Sequence, residues 1–145
     1  MTELQLRQRN TRLTIAKFGA RPFAWGSCDC AKIAAFHARK FKWKVPKSGT
    51  YQSAAGGLRY LKSLGVDTLP DLVDLIGLPE IAPAFAMTGD IVSVPSDHPI
   101  GAIGIYADNG NIMVFHQDHP GLVFAEASGV ERVWSIMPRD RVRRV

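Results

Sequence analysis

The sequence contains few cysteines and no long apolar run, and each absence excludes a class of protein. Two cysteines among 145 residues cannot build the disulfide framework of a small secreted domain. A bridge between Cys28 and Cys30 would close a very small, strained ring, so we expect reduced thiols. No apolar stretch approaches the roughly 20 residues of a membrane-spanning helix. The start, MTELQLRQRNTRLTI, lacks the apolar core of a signal peptide. We therefore expect synthesis and folding in the cytoplasm.

Composition and charge place the chain among ordinary globular proteins. With 46% hydrophobic and 21% charged residues, residues 1–145 are expected to form one domain with a real core. The net charge of +5 would suit an anionic partner such as nucleic acid or a cell-wall polymer. Much of that charge lies at the two ends, including a basic tail over 138–145. No nucleic-acid motif accompanies it, so we interpret the ends as solvated and do not expect nucleic acid as a partner.

Apolar spacing predicts four helices in the first half of the chain. The first lies in the N-terminal segment 1–20, runs from Glu3 to Phe18 and ends at Gly19, with an apolar stripe of Leu4, Leu6, Leu13, Ile15 and Phe18. The second begins at Cys30 and ends near Lys42. Ser53 to Leu64 forms the third, and LPDLVDLIG the fourth, with a proline in its first turn and a glycine at its end.

The second half is rich in valine, isoleucine and aromatic residues. Five short segments, GDIVSVP, GAIGIYA, NIMVF, GLVFAEA and RVWSIM, are separated by turn signals such as Asp-Asn-Gly and His-Pro-Gly. Helices followed by strands predict an α+β fold with an antiparallel sheet of about five strands.

The segment PFAWGSCDCAKIAAFHARKF places a thiol where a loop becomes a helix. Asp29 is a natural N-cap residue, and Cys30 then lies in the first turn. A helix N-terminus stabilises a thiolate, and its unpaired N–H groups can stabilise an oxyanion during acyl transfer. Cys30 is therefore the candidate nucleophile. The alternative is that it is a small buried apolar residue, as cysteines often are.

These residues resemble a known family. PFAWGSCDC is similar to the P-Y-x-W-G…D-C entrance of NlpC-type papain-like cysteine peptidases, which cleave peptide bonds in bacterial cell walls. GDIVSV followed by AIGIYADNGNIMVF resembles that family's GDLVFF…HVGIYLGNGRMIHA sheet. Short phage and prophage tail-associated relatives share RPFxWGxxDC, a GD-V strand and a late R-x-W strand, here Arg132 and Trp134. The resemblance covers residues 20 to 137 and implies a papain-like fold in which the cysteine helix packs on the sheet.

The resemblance also shows where the catalytic set departs from the family. The catalytic base, a histidine that opens the HVGIY strand, is replaced by Ala102, which cannot accept a proton. The third polar residue aligns with Val114. A hairpin two residues longer would place His116 there, on the same side of the sheet. Phe23 stands where the family often has tyrosine.

The remaining histidines and a metal site are weaker candidates. His98 lies four residues before Ala102, roughly 13 Å along an extended strand, and would have to fold back to reach Cys30. We expect His119 in a turn and His37 on the surface or packed, two turns from Cys30. C-x-C is not the C-x-x-C spacing of structural zinc sites, so neither metal nor other cofactor is expected.

Together these features predict a phage or prophage tail-tip or baseplate protein with a peptidase-like fold and a degenerate catalytic set. Its partners would be other tail proteins and peptidoglycan, and its location the virion tail, assembled in the host cytoplasm. The alternative is an active peptidoglycan peptidase or amidase. In that case Cys30 is the nucleophile, His116 the base, and Asp29 caps the helix or holds a substrate amine.

Overall fold

A computed structural model describes residues 1–47, 51–107, 110–115 and 122–138. Four helices come first: α1 (Glu3–Phe18), α2 (Cys30–Lys40), α3 (Ala54–Ser63) and α4 (Leu69–Ile76). Six strands follow: β1 (Glu80–Ile81), β2 (Ile91–Val94), β3 (Ala102–Tyr106), β4 (Asn111–Phe115), β5 (Leu122–Glu126) and β6 (Arg132–Trp134). The predicted α+β class is confirmed. His116, His119 and the basic tail beyond residue 138 lie outside the described residues.

Short polar side chains set where the helices begin. Each N-cap accepts a hydrogen bond from the backbone N–H three residues later, and the four caps are Thr2, Asp29, Ser53 and Thr68. This contact satisfies a donor that the first helical turn leaves unpaired. At the other end of α4, Gly77 adopts a φ of 98°, which a side chain would strain. The helix therefore ends where the sequence predicts.

The strands form one antiparallel sheet in the order β1-β6-β2-β3-β4-β5. The sheet has one strand more than the sequence predicted, because β1 is only two residues long and carries no alternating pattern. Glu80 pairs with Trp134 and Ile81 with Val133, so β1 extends the sheet beyond β6. The chain returns late so that β6, which carries the R-x-W segment, lies between β1 and β2.

The main core lies between the helices and one face of the sheet. It contains buried residues from all four helices and from the strands, including Phe18, Ile33, Leu61, Val73, Ile103, Ile105 and Trp134. A smaller cluster of Val92, Ile112 and Val133 covers the opposite face. Side chains alternate between the faces along each strand, so both faces of the central strands are buried.

Helix α1 buries a mainly polar face together with part of the predicted apolar stripe. Its buried residues are Arg7, Asn10, Thr11, Thr14 and Phe18. Of the predicted apolar stripe, Phe18 is buried and Leu6 and Ile15 pack against the core, whereas Leu4 and Leu13 are 51% and 40% exposed. The rotation of the helix follows from its polar contacts.

Arg7, Asn10 and Thr14 make polar contacts with residues outside α1. The Arg7 guanidinium donates to the Asp90 carboxylate at 2.8 Å and to the Thr88 carbonyl at 3.0 Å. Burial raises the pKa of the Asp90 carboxyl, and the positive charge of Arg7 opposes that rise. Asn10 donates to the Lys40 carbonyl at 3.1 Å. A buried, hydrogen-bonded charge fixes orientation more strictly than apolar contact does, because displacing it leaves groups unpaired.

The R-x-W segment has a structural role. The Arg132 guanidinium lies 2.9 Å from Asp74 on α4 and 2.7 Å from Glu80 on β1, and it also stacks on the Trp134 ring. The indole N–H of Trp134 donates to Asp74 at 2.9 Å. The cluster therefore holds α4 and β1 onto β6.

No helix in the described part of the chain is both long and apolar enough to cross a membrane.

His37 is buried inside the helical layer. Its Nε2–H donates to the Gly89 carbonyl at 2.9 Å, and its Nδ1 accepts from the Thr14 hydroxyl at 2.7 Å. Burial lowers the pKa of this imidazole to about 4, although the hydrogen bond to Gly89 opposes the shift. The ring is thus a neutral part of the core.

Acidification should destabilise the protein through His37. The unfolded imidazole takes a proton near its usual pKa of about 6.5, whereas the folded ring does not. The stability is fully present above that value and is lost as pH falls toward the folded pKa of about 4. Between pH 7 and 5.5 the free energy of unfolding should fall by about 1 kcal/mol through this group.

Urea unfolding of the wild type, His37→Gln and the control His98→Gln measures this effect. The acid-induced loss should shrink only in His37→Gln. Equal losses in all three proteins would contradict the assignment.

Candidate functional site

Cys30 is the first residue of α2, held there by the preceding residue. Asp29 has extended backbone angles, and its Oδ1 accepts the backbone N–H of Lys32 at 2.9 Å. The side chain of Cys30 is half-buried. The thiol therefore lies at the positive end of the α2 dipole, where a thiolate is favoured.

The second oxygen of Asp29 binds two further segments. Asp29 Oδ2 accepts the Gly26 N–H at 2.8 Å and the Tyr51 hydroxyl at 2.8 Å. The carboxylate is only 3% exposed. Burial and the negative charge of Asp29 raise the pKa of Tyr51 well above its usual range, so the phenol stays a donor. Because both oxygens already accept hydrogen bonds within the protein, the role of Asp29 is to cap α2 and to hold Gly26 and Tyr51 beside it.

Gly26 explains the Trp-Gly pair before the cysteines. Its φ is +83°, and a Cβ at this position would overlap the Tyr51 carbonyl oxygen. Only glycine combines this backbone conformation with so close an approach. The turn at Gly26 thus brings its N–H to Asp29 and packs Tyr51 behind the cysteine loop.

A cleft of about 420 Å³ opens beside Cys30. It lies between the start of α2, the loop from Pro95 to Gly101 and the start of β3. Its wall includes the aromatic residues Phe23, Trp25, Tyr51 and Tyr60 and the apolar residues Leu61, Leu69, Ile100, Ala102 and Val114. A concave, mainly apolar site of this volume can enclose a small ligand or the end of a peptide.

The two positions where the family resemblance expects polar catalytic groups both line this cleft, and Val114 also packs against the cluster on the opposite face of the sheet. Ala102 opens β3 and Val114 lies on β4, and both line the same cleft as Cys30. Each side chain is apolar. The cysteine, base and third-residue positions therefore converge, but two of the three carry no group that can exchange a proton.

His98 is the histidine that the described residues place in the cleft with Cys30. An extended strand would carry His98 away from Cys30. The loop before β3 folds back instead, and the His98 ring lies 5.6 Å from the Trp25 ring. Its Nδ1 accepts the Ile100 N–H at 3.3 Å. The paired prolines and glycine of PSDHPIG were the available signal for such a turn.

The other cysteine, Cys28, is buried, and the described residues contain no candidate metal cluster. Cys28 is 4% exposed, and burial raises the pKa of its thiol, which suits packing rather than reaction. Neither cysteine forms a disulfide. Within the described residues, no three histidine, cysteine or acidic side chains are grouped so as to hold a metal ion. His116 lies outside the described residues, so its proposed role as the base stays a prediction.

Comparison with known proteins agrees with this architecture. The profile of a family described as a domain of unknown function, DUF6950, matches residues 3–136. None of the curated proteins matches the chain significantly. Among solved structures, NlpC2 from Trichomonas vaginalis is similar, with a TM-score of 0.57 and 14% sequence identity over 92% of this chain and 47% of that one. The chain thus spans about half of that protein and shares its papain-like NlpC fold.

Removal of the Asp29 carboxylate should destabilise the protein by about 2–4 kcal/mol. The loss combines a helix cap worth about 1 kcal/mol with the desolvation cost of unpaired Tyr51 and Gly26 donors. Tyr51→Phe alone should cost about 1–2 kcal/mol. Because the two groups share one hydrogen bond, Asp29→Ala and Tyr51→Phe should be less than additive in a double-mutant cycle.

Urea unfolding of the single and double variants checks this coupling. Tyr106→Phe is the control, since the Tyr106 hydroxyl makes no hydrogen bond within the described residues. Additive losses for Asp29→Ala and Tyr51→Phe would show that the bond does not hold the loop.

Proposed function

We propose that this chain, which belongs to the family described as a domain of unknown function, DUF6950, is a tail-tip or baseplate component of a tailed phage or prophage. In this proposal an NlpC-type cleft is kept as a structural or binding element and no longer cuts peptide bonds. The protein is assembled into the tail in the host cytoplasm, and its cleft meets the cell wall later.

One observation is the main support for the proposed loss of catalysis. Ala102 and Val114 line the cleft of Cys30 at the positions where the resemblance expects the base and its orienting group. A cysteine peptidase needs a group to accept the thiol proton and later return it to the leaving amine. Neither side chain can do so.

The tail setting is supported by sequence resemblance. The segments PFAWGSCDC, GDIVSV and RVW match the pattern of short tail-associated relatives in order and spacing. The Arg132–Asp74–Glu80 cluster gives the last of these segments a role in holding the fold. That role does not require catalysis, so the R-x-W segment would be kept in a protein that has the fold but no longer catalyses the reaction.

A second candidate function is an active peptidoglycan peptidase or amidase. The position of Cys30 at a helix N-terminus in an open cleft favours it. The Cys30 thiolate would attack a peptide carbonyl, form a thioester and release the amine, and water would then free the acid. The proton would have to pass through His116 or His98, with Asp29 holding the helix start.

The orientation of His98 opposes this second candidate. A neutral imidazole whose Nδ1 accepts the Ile100 N–H carries its proton on Nε2. In that tautomer Nε2 is a donor and cannot take a proton from the thiol. His98 would have to give up the bond to Ile100 before it could act as a base.

Incubation with purified peptidoglycan separates the two candidates. We expect the wild type to release no more peptide than Cys30→Ser does. Phage or prophage tails that carry Cys30→Ser should assemble normally. Peptide release that is lost in both Cys30→Ser and His116→Ala would contradict the structural role and support the peptidase.

Restoring the imidazole tests whether the cleft keeps catalytic geometry. In Ala102→His the new ring should lie beside Cys30, and thiolate formation should speed its alkylation by iodoacetamide at pH 6.5 by about tenfold or more. Ala102→Gln is the control, because it adds similar bulk without a base. Equal rates in both variants would show that position 102 does not serve Cys30.

A further inference from the structure

Charge is divided unevenly between the two halves of the chain. Residues 1–47 contain eleven lysines and arginines and two acidic residues, whereas residues 51–138 contain three and ten. The two acidic residues of the first part are already engaged: Glu3 pairs with Arg7 at 3.1 Å, and Asp29 is buried under three donors. Residues 1–47 therefore offer no further acidic side chain to pair with their remaining cations.

Part of this charge is gathered around two aromatic rings. Lys17 and Lys40 place their ammonium groups 4.3 Å and 5.1 Å from the centre of the Phe36 ring. Arg21 lies 5.7 Å from the centre of the Phe18 ring, which contacts Phe36 edge-on at 5.5 Å. We call Lys17, Arg21 and Lys40 the basic face.

The side chains of the basic face are exposed, and each contacts an aromatic ring. All three side chains are exposed, and within the described residues none of them forms an ion pair. The aromatic rings hold the cations over apolar surface while their N–H groups point to solvent. Such a face has lost part of its side-chain freedom before any partner arrives, which lowers the cost of binding.

A complementary surface lies on the same molecule. The Leu69 N–H donates to the Ile100 carbonyl at 2.8 Å, which joins the first turn of α4 to the loop before β3. This junction carries Asp67 and Asp97, both exposed, and the half-exposed Asp71. We call these three residues the acidic edge, and within the described residues they form no ion pair.

We propose that the basic face of one copy binds the acidic edge of a second copy. Because the two surfaces differ, one such contact leaves a basic face and an acidic edge free, to which further copies can add head to tail. Charge complementarity fixes how the two copies align and speeds their association. Asp97 is next to His98, so the docked neighbour lies at the rim of the cleft. This inference goes beyond the proposed function and does not depend on Cys30 chemistry.

Sedimentation of the full chain at 50 and 500 mM salt tests the contact. We expect association at low salt and at least about tenfold weaker association at high salt, because exposed charges are screened. Lys17→Gln/Lys40→Gln and Asp67→Asn/Asp97→Asn should each be monomeric alone. Arg59→Gln/Lys62→Gln removes the same charge from α3 and should associate like the wild type.

An equimolar mixture of the two interface variants gives the sharpest result. Each variant keeps one intact surface, so the pair should form a one-to-one complex that grows no further. No complex in the mixture, or a wild type that stays monomeric at 50 mM salt, would overturn the proposal. A monomeric wild type that binds inorganic polyphosphate through Lys17 and Lys40 would assign the basic face to an anionic polymer instead.

Discussion

The Asp29 carboxylate is the contact on which the site depends. One of its oxygens caps α2, and the other joins the Gly26 turn to Tyr51 beyond the helix. These three bonds fix the N-terminus of α2, and Cys30 is the next residue along. A buried carboxylate with three donors is stable only when all of them remain in place. The entrance motif can therefore be maintained by folding alone, without selection for catalysis.

Much of the fold could be predicted because its local signals agree with its tertiary structure. The limits of α1 follow from its apolar spacing and the glycine after it, and the strand over 111–115 from a β-rich segment between turn signals. The rotation of α1 could not be predicted, since it depends on Arg7 meeting Asp90, 83 residues away. Strand β1 could not be predicted, because two residues are too few to show the alternating pattern of a strand. Asp74 looks like a solvated helix residue until Arg132 and Trp134 are brought beside it.

The site was predicted in part for similar reasons. Asp29 and Cys30 belong to one local motif, so their mutual placement follows from the sequence. The positions of Ala102 and Val114 depend on sheet register, and family resemblance supplied what local pattern could not. His98 depends on the path of a loop, which neither source determines. Because the Nδ1 of His98 accepts the Ile100 N–H, this imidazole lines the cleft but is not ready to accept a proton.

In the proposed function the cleft beside Cys30 keeps its shape while its proton chemistry is lost. The pH dependence of Cys30 alkylation in the wild-type protein tests this most directly, because buried Cys28 contributes little signal. We expect one rise in rate at alkaline pH, because Ala102 and Val114 supply no imidazole to the cleft. Reactivity that persists as a plateau below pH 6 and disappears in His98→Gln would reveal a thiolate–imidazolium pair and contradict it.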